Sequence, residues 1–192
     1  MPNPTFEGTC AKSRAGPSIQ TLGSETMRTL DLQAEVIPKH SAAGFEIGMD
    51  VSEIGEIING ATILDQEVTV AALRQNQGVI AKRDSNGYIR TVFFGDDQVR
   101  LCFNAAGKLF CIFLFEGYRG TYLEAISVGS PMSSVQRLHS LLYDDGDEMC
   151  YIADEEENIV PGIAFAGSSC SLEDDPEQLV CGFCVHDWSI QK

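Results

Sequence analysis

A chain of 192 residues with 44% hydrophobic and 21% charged residues has the composition of a globular protein, not of a disordered or collagen-like one. At this length it buries roughly 70% of its unfolded surface on folding. Its formal net charge of −15 argues against the basic face that nucleic acid or anionic lipid requires. No apolar run approaches the roughly 20 residues that span a bilayer, and residues 1–20 lack the basic region and apolar core of a secretory signal. The cytoplasm is the expected location.

The charge is unevenly placed. Residues 1–137 hold 12 Lys and Arg against 15 Asp and Glu, whereas residues 138–192 hold only Lys192 against 13 acids. Adaptation to salt would spread acidity along the chain. A single-sign field from Leu138 to Cys181 also solubilises, but it attracts basic partners. The seven cysteines (Cys10, Cys102, Cys111, Cys150, Cys170, Cys181, Cys184) are an odd number in a chain without a secretion signal, so reduced thiols serving as small core residues are expected.

In chain order, residues 1–26 are rich in Pro, Gly, Ser and Thr and lack periodicity, which is the pattern of a loose leader; Met27 is a candidate for the natural start. Leu30, Leu32, Ala34 and Val36 alternate as in a strand that Pro38 stops. Asp50 then reads as an N-cap with Glu53 as its capping-box partner, opening a helix with Val51, Ile54, Ile57 and Ile58 on one face and ending at Asn59-Gly60. Extended pieces are expected around Val68–Leu73 and Val79–Ala81. Tyr88–Phe94, Val99–Phe103 and Leu109–Phe115 are apolar, aromatic and β-branched runs joined by short Asn-, Asp- and Gly-bearing spacers, the pattern of an antiparallel meander. Leu109–Phe115 contains no polar residue and is expected to be central, covered on both faces.

Gly44-Phe45-Glu46-Ile47-Gly48-Met49-Asp50-Val51-Ser52-Glu53-Ile54 is answered 81 positions later by Ala125-Ile126-Ser127-Val128-Gly129-Ser130-Pro131-Met132-Ser133-Ser134-Val135. Both read as a strand end turning into a helix. Ser130 as N-cap and Pro131 at the first helical position predict a helix burying Met132, Val135, Leu138, Leu141 and Leu142. Met149–Ile152, Ile159–Phe165 and Leu179–Trp188 follow as strands. The expected fold is therefore α+β: two tandem helix-plus-antiparallel-sheet units, able to join into one continuous sheet. Residues 1–29 form a flexible leader, 30–120 a first unit containing the meander, and 121–192 a second, acidic unit.

Catalytic patterns are sparse. Cys181-Gly182-Phe183-Cys184 has the C-x-x-C spacing of a thiol redox centre, but it falls inside an apparent strand and not at a helix N-terminus, where a dipole would activate the first thiol. Two cysteines without a second pair also make an incomplete zinc site. Asp144-Asp145-Gly146-Asp147-Glu148 lacks the oxygen ligands of an EF-hand, since Leu141 and Tyr143 occupy two ligand positions. His40, His139 and His186 sit in no catalytic motif.

Recognition remains. Tyr143, Tyr151 and Trp188 lie in sequence beside acidic side chains, and aromatic anchors with steering charge are what tight interfaces use. The candidate partner-binding set is Tyr143, Asp144, Asp145, Asp147, Glu148, Tyr151, Asp154, Glu155, Glu156, Glu157, Glu173, Asp174, Asp175 and Trp188.

Ile37-Pro38, Ser41, Gly44-Phe45-Glu46-Ile47-Gly48-Met49, Gly117-Tyr118-Arg119-Gly120, Ile126-Ser127-Val128-Gly129, Asp145, Asp147 and Gly162-Ile163-Ala164-Phe165 together resemble the cytoplasmic immunity proteins of bacterial polymorphic toxin and type VI secretion systems, over about residues 30–188. The tandem arrangement is also similar to β-lactamase inhibitory protein in architecture. The resemblance implies an inhibitor without catalytic residues, cofactor or metal. Its implied partner is a cognate toxin with a basic surface, of nuclease type, and neither nucleic acid nor a membrane. A secretion-system adaptor or effector chaperone is the alternative, and a thiol oxidoreductase using Cys181 and Cys184 a further one.

Overall fold

The computed structural model describes residues 28–65 and 78–192. The expected strand at Val68–Leu73 and all but the last two residues of the expected leader lie outside these. Among the described residues the chain forms eleven strands. β1 (Ser41–Ala42) and β2 (Phe45–Glu46) make a small hairpin. The others are β3 (Thr62–Leu64), β4 (Val79–Arg83), β5 (Ile89–Phe94), β6 (Val99–Phe103), β7 (Leu109–Leu114), β8 (Ser140–Asp144), β9 (Met149–Ala153), β10 (Ile159–Ala166) and β11 (Gly182–His186). They form one nine-stranded sheet in the order β3-β4-β5-β6-β7-β11-β10-β9-β8, antiparallel throughout except at the β3–β4 edge.

The expected α+β balance is overturned, because the protein is mostly β. Among the described residues the helices are a 3-10 turn, Val51–Ile54, running into the α-helical Gly55–Asn59, the short helix Met132–Gln136 and a 3-10 turn at Trp188–Ile190. The Asp50–Glu53 capping box is present. The second helix is shorter than its spacing predicts. Ser130 Oγ accepts from the Ser127 amide at 3.0 Å instead of capping. Leu141 and Leu142, read as two points on a helical face, instead alternate across β8, and Leu138 is exposed. Five residues cannot sustain a helix by propensity alone, so this one persists by burying Met132 and Val135. The alternation at Leu30–Val36 also yields no strand, only single bridges at Val36 and Ile37.

Turn chemistry drives the meanders. Asp84, Asn104 and Asp154 each use Oδ1 to accept two backbone N–H groups, two and four residues ahead, at 2.8 to 3.0 Å. Each is an Asx turn in which a side chain takes over the hydrogen bonds that reverse the chain.

The two halves of the sheet are related by a pseudo-two-fold axis. β4-β5-β6-β7 and β11-β10-β9-β8 are both meanders, and their last strands meet as antiparallel neighbours. The N–H of Gly48 donates to Leu109 O and that of Gly129 to Val180 O, both at 2.7 Å. The glycines have φ of 89° and 90°, left-handed values at which a Cβ is strained. Isolated bridges Asp50–Lys108 and Pro131–Leu179 occupy corresponding places.

Strand alternation divides the sheet into two faces. One carries Val92, Leu101, Ile112, Leu114, Phe165, Phe183 and Val185 and packs against Phe45, Ile54, Tyr118, Tyr122, Met132 and Val135 in a single core drawn from both halves of the chain. On the other face, the C-terminal 3-10 turn Trp188–Ile190 is the one piece of regular structure that the described residues pack there.

Candidate functional site

The second face of the sheet holds the most unusual side-chain array. Phe93 of β5, Arg100 of β6, Phe113 of β7 and Phe115 just beyond it point to the same side. The Arg100 guanidinium lies 5.3 Å from the centroid of each of the three rings, and Phe113 and Phe115 are stacked at 6.0 Å. Asp97, in the β5–β6 turn, accepts from Arg100 Nε at 3.1 Å and forms an ion pair with Nη2. Arg100, Phe113 and Phe115 are all half-buried, so each keeps part of its surface open.

Beside this array, on β6, β7 and β11, lies a patch of sulfur and imidazole. Cys102 pairs directly with Cys111, and Cys111 with His186. The Cys111 and Cys184 sulfurs are 3.3 Å apart. His186 is completely buried, stacked on Trp188 at 4.4 Å and edge-on to Tyr151 at 5.9 Å. Neither of its ring nitrogens has a hydrogen-bond partner. Burial therefore favours the neutral ring and pushes its pKa down to about 4. Among the described residues no group of three or more His, Cys, Asp or Glu side chains is arranged to hold a metal ion.

The residues singled out from the sequence do not form one patch. Strands alternate in direction, so the β5–β6 turn, the β8–β9 turn (145–148) and the β10–β11 loop (167–181) open at one end of the sheet, and the β4–β5, β6–β7 and β9–β10 turns at the other. Asp144, Asp145, Asp147, Glu148, Glu173, Asp174 and Asp175 gather at the first end. Asp154, Glu155, Glu156, Glu157 and Trp188 lie at the second. The aromatics separate as well: Tyr143 leans on the main core, while Tyr151 is buried on the opposite face and donates its hydroxyl to Asp147. Burial, with this acceptor beside it, raises the Tyr151 pKa.

Cys181 and Cys184 turn to different surroundings. Cys181 is exposed and its thiol lies against Leu179 O at 3.6 Å, whereas Cys184 is buried beside Cys111. The acidic β10–β11 loop is tied down by one residue, the buried Gln178. Its Oε1 accepts from the Ser168 amide at 3.0 Å and its Nε2 reaches the carbonyls of Cys170, Ser171 and Asp175 at 3.1 to 3.3 Å.

Comparison of the chain with protein-family models, with curated proteins and with solved structures returns no match. The site must therefore be judged on its own geometry.

Sequence reasoning missed the Arg100 cluster. The run Leu109–Phe115 was expected to be covered on both faces, yet Phe110 and Phe113 are half-buried. A signal was present in Arg100 itself, a charge alternating with Val99 and Leu101 on a strand beside that run. A separate pocket of about 510 Å³, lined by Leu30, Ile54, Ile57, Val79 and Phe94 among others, opens beside the main core. The cation at its wall, Arg28, is already paired with Glu46 at 2.7 Å. No helix among the described residues is long and apolar enough to cross a membrane.

Proposed function

We propose that this chain is an immunity protein that binds a cognate bacterial toxin in the cytoplasm and blocks it by occlusion, without catalysis. The observation that carries the reading is the half-exposed Phe113–Arg100–Phe115 cluster, open on the same end of the sheet as the acids of 144–148 and 173–175. Arginine and large aromatics dominate the energetics of protein interfaces. Here they are held rigid on adjacent strands, so docking costs little side-chain entropy. The exposed acids at that end complement a basic surface and speed encounter with it, which fits a toxin of nuclease type. The resemblance over residues 30–188 supports the same assignment.

Co-expression with the product of the adjacent gene in a bacterial host tests this. Immunity requires that the chain restore growth to cells making that product and co-purify with it. Co-purification without rescue would instead make the chain an adaptor or chaperone, and the absence of both rescue and co-purification would overturn the reading.

A further inference from the structure

Three thiols on neighbouring strands, Cys102, Cys111 and Cys184, pack together in the small apolar cluster of the second face, apart from the main core and from the proposed docking cluster. Cys102 is half-buried, Cys111 and Cys184 are buried, and the order of accessibility runs from β6 to β11. Cys102 and Cys111 are directly opposite in the β6–β7 ladder. Residues so placed have Cα atoms roughly 4.5 to 5.5 Å apart, inside the range of about 4.4 to 6.8 Å that a disulfide accepts. Cys111 and Cys184 are instead diagonal, because Cys184 pairs with Phe113 and Cys111 with His186. Diagonal Cβ atoms sit near 7 Å, too far to be bridged without backbone movement, although the sulfurs touch at 3.3 Å.

The electrostatics separate Cys102 from Cys111 in the same sense. The hydrogen bond from Cys111 holds the Cys102 thiol below its ordinary value against the opposing effect of burial, with the Arg100 guanidinium adding to the shift. Burial pushes the Cys111 thiol up. A partly accessible thiol beside an arginine is where oxidation begins, since the thiolate is the nucleophile.

We propose that Cys102 is an oxidation site for hydroperoxides and that Cys111 is its resolving thiol, so that the sheet carries a reversible β6–β7 cross-strand disulfide. In the first step the Cys102 thiolate attacks the peroxide. A sulfur–oxygen bond forms, the O–O bond breaks, hydroxide leaves and Cys102 becomes a sulfenic acid. In the second, the Cys111 sulfur attacks the Cys102 sulfur, and the sulfenic oxygen departs as water with the Cys111 proton. In sum, two thiols and one hydrogen peroxide give one disulfide and two waters. The bond forms beside Arg100, on the face assigned above to partner binding, but the chemistry does not depend on that assignment.

The test uses the full chain with Cys10, Cys170 and Cys181 replaced by Ser, treated with hydrogen peroxide and examined by intact mass and peptide mapping. The expected product has lost the mass of two hydrogen atoms, contains a Cys102–Cys111 linked peptide and reverts with dithiothreitol. Cys184→Ser should leave that product in place. Cys111→Ser should stop at a dimedone-trappable sulfenic acid on Cys102. If Cys111→Ser does not fold, Cys102→Ala, at the half-buried position, should abolish the disulfide and leave Cys111 and Cys184 as thiols under the same treatment. Linkage mapped to Cys111–Cys184, undiminished oxidation in Cys102→Ala, or no mass change in the parent protein would each overturn the proposal.

Discussion

Phe113 and Cys184 face each other across the β7–β11 seam, and the pseudo-two-fold axis passes between them. The matched hydrogen bonds of Gly48 to Leu109 and Gly129 to Val180 superpose residue 109 on residue 180, which carries Phe113 onto Cys184. Its neighbours comply, since Leu114 pairs with Phe183 and Ile112 with Val185. At the axis the two halves thus present different side chains to the second face, an aromatic ring from one and a thiol from the other. The symmetry of the backbone is not a symmetry of surface.

The paired corners should respond alike to substitution. Gly48 and Gly129 both have positive φ and nothing within 4 Å of an added Cβ, so Gly48→Ala and Gly129→Ala should each cost only the left-handed penalty of about 1–2 kcal/mol. Gly44→Ala adds a clash of its Cβ with the Thr29 carbonyl and should cost about 3 kcal/mol or more. Urea unfolding of the three variants checks the order.

Gln178 should control the acidic loop. Gln178→Leu keeps the volume but abandons the Ser168 amide and three carbonyls, at a cost of about 2 kcal/mol. Hydrogen exchange at Ser168 and proteolysis within 168–177 should both accelerate, while β5–β7 amides keep their protection. Unchanged loop protection would mean that Gln178 is not its anchor.

His186 predicts a dependence on pH. Its ring stays neutral in the folded protein down to about pH 4, whereas in the unfolded chain it protonates near 6.5. The unfolded state therefore takes up the proton first. This contribution to stability is complete above about pH 6.5 and is lost as pH falls towards 4, by about 2 kcal/mol between pH 7.5 and 5. Denaturation of wild type and His186→Phe at those two pH values should show the variant less pH-sensitive by that amount.

At the proposed interface, Arg100→Ala should weaken partner binding about thirtyfold, on the order of 2 kcal/mol, and Arg100→Lys should not restore it, because an ammonium cannot stack between rings. Neutralising Asp144, Asp145, Asp147 and Glu148 should slow association and flatten its salt dependence while leaving dissociation nearly unchanged. Stopped-flow association with the co-purified partner at two ionic strengths separates the two effects.

Local signals in the sequence determined the capping box at Asp50–Glu53, the three strands of the meander with the Asx turn at Asn104, and the corners at Gly48 and Gly129, because each rests on residues a few positions apart. Local signals also misled. Leu138, Leu141 and Leu142 satisfy a helical spacing, but β9 offered the backbone of 140–144 a full ladder of partners, and a five-residue helix could not compete. Only the tertiary structure decided which charges and rings share a surface. The acids of 144–148 and 154–157, nearly continuous in the chain, were sent to opposite ends of the sheet by the direction of β9. Arg100 was brought to Phe113 and Phe115, to which no local spacing connects it, by the register of β6 on β7. The same register, which no local pattern encodes, set Cys102 opposite Cys111.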